Sequence, residues 1–67
     1  MNISFAKLNT LNETGIAVFG SEDAFTKWMD SPAHGLDNQV PVTFLTNDEG
    51  IDTVIAELNR IAHGDLS

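Results

Sequence analysis

Residues 46–64, TNDEGIDTVIAELNRIAHG, decide the fold of this chain. Their apolar side chains recur at steps of three and four residues, which places them on one face of an α-helix. These apolar positions are Ile51, Val54, Ile55, Leu58, Ile61 and Ala62. We therefore expect the longest helix near residues 47–63, with the rest of the chain covering its apolar face.

Both ends of this helix carry terminal signals. Thr46 is a candidate N-cap, and Glu49 three residues later would complete a capping box. Arg60 and His63 place cationic side chains near the negative end of the helix dipole. Gly64 is a candidate C-cap, because glycine readily adopts the left-handed conformation that ends a helix.

An earlier helix is predicted to start after Ser4 and to end at Gly20. Gly15 within it either lets another helix approach closely or weakens the helix, and sequence alone leaves both readings open. The candidate core positions of this helix are Phe5, Leu8, Leu11, Val18 and Phe19.

A second, shorter helix is predicted from the N-cap Ser21 to the Ser31-Pro32 pair, since the residue before proline avoids helical conformation. Trp28 lies on its apolar face, so we interpret it as a core residue rather than a recognition aromatic. The other candidates on this face are Ala24, Phe25 and Met29.

The segment between the second and last helices is predicted to be a loop with Leu36 as its core anchor. Pro41 is placed as the first residue of a short helical turn that directs Phe44 and Leu45 inward. A strand over residues 39–46 is the alternative, but a lone strand containing proline has nothing to pair with. The sequence thus predicts an all-α fold, a single domain over residues 1–67 with three main helices and one short helical turn.

The composition excludes several classes of function. The chain has 67 residues, ten of them acidic and three basic, for a net charge of −7. A nucleic-acid-binding protein needs basic side chains to replace phosphate counterions, so direct nucleic-acid binding is not expected. No signal peptide or membrane span is evident, and the chain has no cysteine. We expect a cytoplasmic protein whose small core gains stability from a partner or from a second copy of the chain.

No catalytic, metal or cofactor site is predicted. The acidic side chains lie mostly near predicted helix N-termini, where carboxylates favour the helix dipole. His34 and His63 are far apart in sequence and have no ligand-spaced neighbour. We therefore expect a protein-binding module rather than an enzyme, with no cofactor. The residues from the end of the last helix onward are polar, and the alternative reading of them is a frayed terminus.

Two segments resemble the toxin-binding domain of the Xre/MbcA/ParS-like antitoxins. They are VFGSEDAFTKWMDSP, residues 18–32, and VPVTFLTNDEGIDTVIAELNRIAHG, residues 40–64. The matching positions are Val18, Phe19, Gly20, Ala24, Trp28, Pro32, Pro41, Leu45, Thr46, Gly50, Leu58, Arg60, Ile61, His63 and Gly64.

This resemblance implies a bacterial antitoxin module that binds a RES-type, NAD⁺-consuming toxin and covers its NAD⁺ pocket. It implies that the partner-binding residues lie at the end of the last helix and in the tail: Arg60, His63, Gly64, Asp65, Leu66 and Ser67. Family members commonly carry a helix-turn-helix domain before this module, and the sequence predicts none here. The alternative function is a structural dimerisation or adaptor domain, which would bind without inhibiting.

Overall fold

Three α-helices and two 3₁₀ turns build the described part of the chain, residues 3–64 of a computed structural model. Helix α1 spans Phe5–Phe19, α2 spans Glu22–Met29 and α3 spans Asp48–Gly64. The 3₁₀ turns are His34–Leu36 and Pro41–Phe44. The prediction of an all-α fold is confirmed. None of the helices described within residues 3–64 could serve as a transmembrane span.

Local capping sets both ends of α1 and the start of α2, as the sequence predicts. The backbone N–H of Lys7 donates to the Ser4 hydroxyl at 3.3 Å, and that of Ala24 donates to the Ser21 hydroxyl at 3.1 Å. Gly20 has φ of 86° and donates its N–H to the carbonyl of Ile16. This left-handed conformation suits glycine and turns the chain from α1 into α2.

The predicted caps of α3 are wrong at both ends. Asn47, not Thr46, is the N-cap, because its side-chain oxygen accepts the N–H of Gly50 at 2.7 Å. Glu49 is then the second helical residue, so it cannot complete a capping box with Thr46. At the other end the helix continues through Gly64, which is therefore not a left-handed cap.

Helices α1 and α3 run parallel, side by side. The Ser4 N–H donates to the Asp48 carboxylate at 2.8 Å, and the Lys7 ammonium contacts the Asp52 carboxylate at 2.7 Å. The residues joined are 44 and 45 positions apart, so both helices advance in the same direction. Hydrogen bonding to Asp52 raises the pKa of Lys7, which keeps this surface pair charged. The parallel arrangement places the ends of α1 and α3 at the same end of the domain.

The structure decides between the two readings of Gly15, close packing of a neighbouring helix or a weak point in α1, in favour of close packing. It is buried within an unbroken α1, and a Cβ atom there would overlap the ring of Phe25 on α2. Glycine therefore allows this close crossing, because the Phe25 ring occupies the space that a side chain at position 15 would take.

The core lies where the three helices meet. Ile51, Val54 and Leu58 are completely buried, so the predicted apolar face of α3 is the centre of the domain. Trp28 and Phe44 are half-buried and pack against this core. The remaining buried apolar residues of the described chain are Leu11, Phe25, Met29, Ala33, Leu36 and Pro41. Phe5 is predicted to be a core residue, but this prediction is wrong: it is the first residue of α1, is 82% exposed and is not among the residues that pack against the core.

The loop between α2 and α3 is held by short-range hydrogen bonds. Ala33 and Gln39 form one isolated antiparallel bridge, and Asp37 and Asn38 turn the chain with φ of 57° and 63°. Leu36 anchors this loop in the core, as predicted. The loop thereby packs beside α3 and contributes to the environment of its second half.

Candidate functional site

Arg60 on α3 is held in a fixed orientation by Glu57, one turn earlier. The guanidinium donates from Nε to one carboxylate oxygen at 2.8 Å and from Nη2 to the other at 2.6 Å. Such two-point contacts fix the plane of the guanidinium as well as its position. The Arg60 side chain is still 64% exposed, so it is both oriented and accessible.

Glu57 is buried although it is charged, with only 7% of its side chain exposed. The hydrogen bonds from Arg60 hold the pKa of Glu57 below its ordinary value of 4.5, against the opposing effect of burial, and the charge of His34 adds to the lowering. Gly35 makes room for this carboxylate, because a Cβ atom at that position would overlap it. The loop and α3 thus enclose the ionised carboxylate of Glu57, which orients Arg60.

The free edge of Arg60 determines what this site can bind. A guanidinium has five N–H donors and no acceptor. Two of these contact Glu57, and because the side chain is 64% exposed, the remaining donors, including both on Nη1, are accessible to a partner. Hydrogen bonding to Glu57 raises the pKa of Arg60, so the group stays cationic. The site therefore presents a rigid hydrogen-bond donor to carboxylates or carbonyl oxygens.

The other predicted partner-binding residues have different outcomes. His63 and Gly64 are exposed in the last turn of α3, and Arg60 lies one turn before that end. These three residues therefore share one end of the domain. Asp65, Leu66 and Ser67 lie outside the described residues. That this group contacts a partner stays a prediction.

Sequence reasoning missed Glu57, Gly35 and His34 as parts of this arrangement. The Glu57–Arg60 spacing of three residues is itself a signal, because side chains at that spacing meet on a helix surface. Burial of the pair could not be predicted, since it depends on the position of the loop. Among residues 3–64, no group of three His, Asp or Glu side chains comes together as a metal site would require.

Comparison with known proteins shows which protein family this chain resembles. A family model for the antitoxin Xre/MbcA/ParS C-terminal toxin-binding domain matches residues 14–64. Searches of curated proteins and of solved structures find no match. The family match covers all of α2 and α3, the last six residues of α1, and the Glu57–Arg60 pair. This chain therefore belongs to the family of Xre/MbcA/ParS antitoxin C-terminal toxin-binding domains.

Proposed function

We propose that this chain inhibits a RES-type, NAD⁺-consuming toxin by covering its NAD⁺ pocket with the end of α3 and the residues that follow. A toxin-binding family makes a protein toxin the class of partner. The observation that carries the proposal is the Glu57–Arg60 pair, which gives the end of α3 an oriented cationic donor within the matched region.

The chemistry of the helix end fits the rim of a nucleotide pocket. Arg60 would donate outward hydrogen bonds to carboxylate or carbonyl oxygens of the toxin, and His63 would add a second polar contact. Enzyme pockets for a dinucleotide pyrophosphate commonly carry cationic groups. Asp65 would pair with those groups, in the place of the pyrophosphate. Inhibition would then be competitive with NAD⁺.

NAD⁺ turnover by the cognate toxin, titrated with this chain and its variants, tests the proposal. The toxin is first identified by co-expression of the chain with the protein encoded beside it, followed by pull-down. Removal of residues 65–67 is expected to weaken inhibition about tenfold or more, as for the loss of charge pairs in an interface. The weakening should be larger at low salt, where charge pairing is stronger.

Two further variants separate the helix end from the general charge of the chain. Arg60→Gln removes the oriented cation and should weaken inhibition, whereas Lys27→Gln removes an exposed cation of α2 and should not. Circular dichroism establishes that each variant is folded. Equal inhibition by the full and shortened chains would discard the tail contact. Binding of the toxin without any inhibition would instead favour the adaptor function and overturn the proposal.

A further inference from the structure

An apolar groove of about 410 Å³ runs between α1 and α2, and none of the residues that line it belongs to α3. Its apolar lining comes from both helices and from the segment after α2, and includes Leu8, Leu11, Phe25, Met29 and Val42. Phe25 and Met29 are also core residues, so the groove reaches the core itself. Methionine adapts its shape readily to an apolar surface that packs against it.

Two of the three exposed large apolar residues of the described chain line this groove. Ile16 and Val42, which are 36% and 44% exposed, line it directly. Phe5 is 82% exposed, and its spacing of eleven residues from Ile16 is about three helical turns, which puts both on one face of α1. Single exposed apolar residues are normal, but a contiguous apolar patch with a polar rim marks an interaction surface.

The rim of the groove is acidic. Glu22 and Asp30 lie eight residues apart at the two ends of α2, a separation of roughly 12 Å, and no basic side chain is among the described residues of the lining. The span from Leu8 to Ile16 on α1 has the same length. The groove therefore matches about two turns of a helix, with one carboxylate near each end.

A second copy of this chain does not supply a matching helix. The chain has three Lys and Arg residues in all, of which Lys7 is paired with Asp52 and Arg60 with Glu57. Two basic side chains two turns apart on one amphipathic helix are therefore absent from its sequence. The acidic rim of the groove therefore favours a helix from a different protein.

We propose that this groove is a second docking surface, which binds an amphipathic helix of another protein with basic residues about two turns apart. The apolar face of that helix covers Ile16 and Val42, and its lysine or arginine side chains pair with Glu22 and Asp30. This inference does not depend on toxin inhibition by the end of α3, because it concerns a different surface.

Titration of the ¹⁵N-labelled full chain with a synthetic helical peptide tests this proposal by NMR. The peptide carries leucines at helical positions i, i+4 and i+7, with lysines two turns apart beside them. Saturable amide shifts confined to the groove are expected, weakening between 50 and 300 mM salt. Ile16→Ser should lower the affinity about tenfold, because the lost apolar contact corresponds to at least that factor.

Matched charge variants show whether the rim is specific. The double change Glu22→Gln and Asp30→Asn should weaken peptide binding several-fold, whereas Glu13→Gln with Glu49→Gln makes the same change in net charge elsewhere and should not. Equal weakening by both pairs, shifts spread beyond the groove, or no saturable shift would overturn the proposal. Analytical sedimentation of the chain alone tests whether a second copy occupies the groove. A dimer that dissociates on the change Ile16→Ser would show that it does, and would also overturn the proposal.

Discussion

Individual side chains determine the geometry of the candidate binding site. Glu57 is the clearest case, because an ionised carboxylate with 7% exposure is costly unless its hydrogen bonds are satisfied. Arg60 satisfies it, and the Arg60 side chain remains 64% exposed. One contact therefore stabilises the fold and orients a candidate binding group at once.

The Glu57–Arg60 pair gives stability a defined pH dependence. Because the folded-state pKa of Glu57 is lowered, its stabilising effect is present above the ordinary value of 4.5 and is lost as pH falls through the lowered pKa. Glu57→Gln should reduce the melting temperature at pH 7 by on the order of 5 °C. The difference from the parent chain should shrink toward pH 3. Thermal denaturation followed by circular dichroism between pH 3 and pH 7 measures this.

Glu13→Gln is the control for that experiment, since Glu13 is exposed on α1. It should show little change across the same range. A Glu57→Gln chain with an undiminished melting temperature at pH 7 would mean that the pair does not stabilise the fold.

The N-cap of α3 supplies a second residue-level prediction. Asn47→Ala should lower the free energy of unfolding by about 1 kcal/mol, since it leaves the Gly50 N–H without its side-chain acceptor. Thr46→Ala, one residue earlier, should change it by less than about 0.5 kcal/mol, as at ordinary surface positions. Urea denaturation of both variants shows which of the two residues is the N-cap of α3. A larger loss for Thr46→Ala would restore the capping box that the sequence suggested.

At the level of elements, the contact of α1 with α2 depends on one small residue. Gly15 allows the Phe25 ring to lie against the backbone of α1. The parallel pairing of α1 with α3 is set separately, by the contacts of Ser4 and Lys7 with the first turns of α3. Together these contacts fix where the end of α3 lies relative to the other helices.

Gly15→Ala tests this helix crossing. Overpacking a core costs roughly 1–3 kcal/mol, and the better helix propensity of alanine offsets up to about 1 kcal/mol of that. We expect a net loss of about 1–2 kcal/mol in the free energy of unfolding, measured by urea denaturation. Gly64→Ala is the matched control, because a Cβ there meets no atom within 4 Å, and it should cause no loss. A Gly15→Ala chain as stable as the parent would show that Phe25 can move aside.

The elements that sequence predicts well are those set by local chemistry. Ser21 and Gly20 define helix ends through contacts within four residues, and the spacing of Ile51, Val54 and Leu58 defines the buried face of α3. Thr46 and Asn47 are adjacent residues that both favour the N-cap position, so their order of preference depends on side-chain geometry. Burial of Glu57 and exposure of Phe5 depend on tertiary packing, which residue spacing does not contain.

At the scale of the whole molecule, the charge distribution separates two surfaces. Acidic side chains line the groove between α1 and α2 and the start of α3, whereas Arg60 and His63 lie toward the other end of α3. An acidic domain is attracted to a cationic partner over long range, which accelerates association at low salt. The local cation at the end of α3 then contributes to orientation rather than to general attraction.

Competition with NAD⁺ tests the central claim most directly. The measurement is the apparent Kd of this chain for a catalytically inactive form of the cognate toxin, with and without saturating NAD⁺. If the end of α3 covers the NAD⁺ pocket, the apparent Kd should rise in proportion to the NAD⁺ concentration, about a hundredfold when NAD⁺ is at 100 times its own Kd. An apparent Kd that stays constant over that range would contradict the account, because chain and nucleotide would then occupy separate sites.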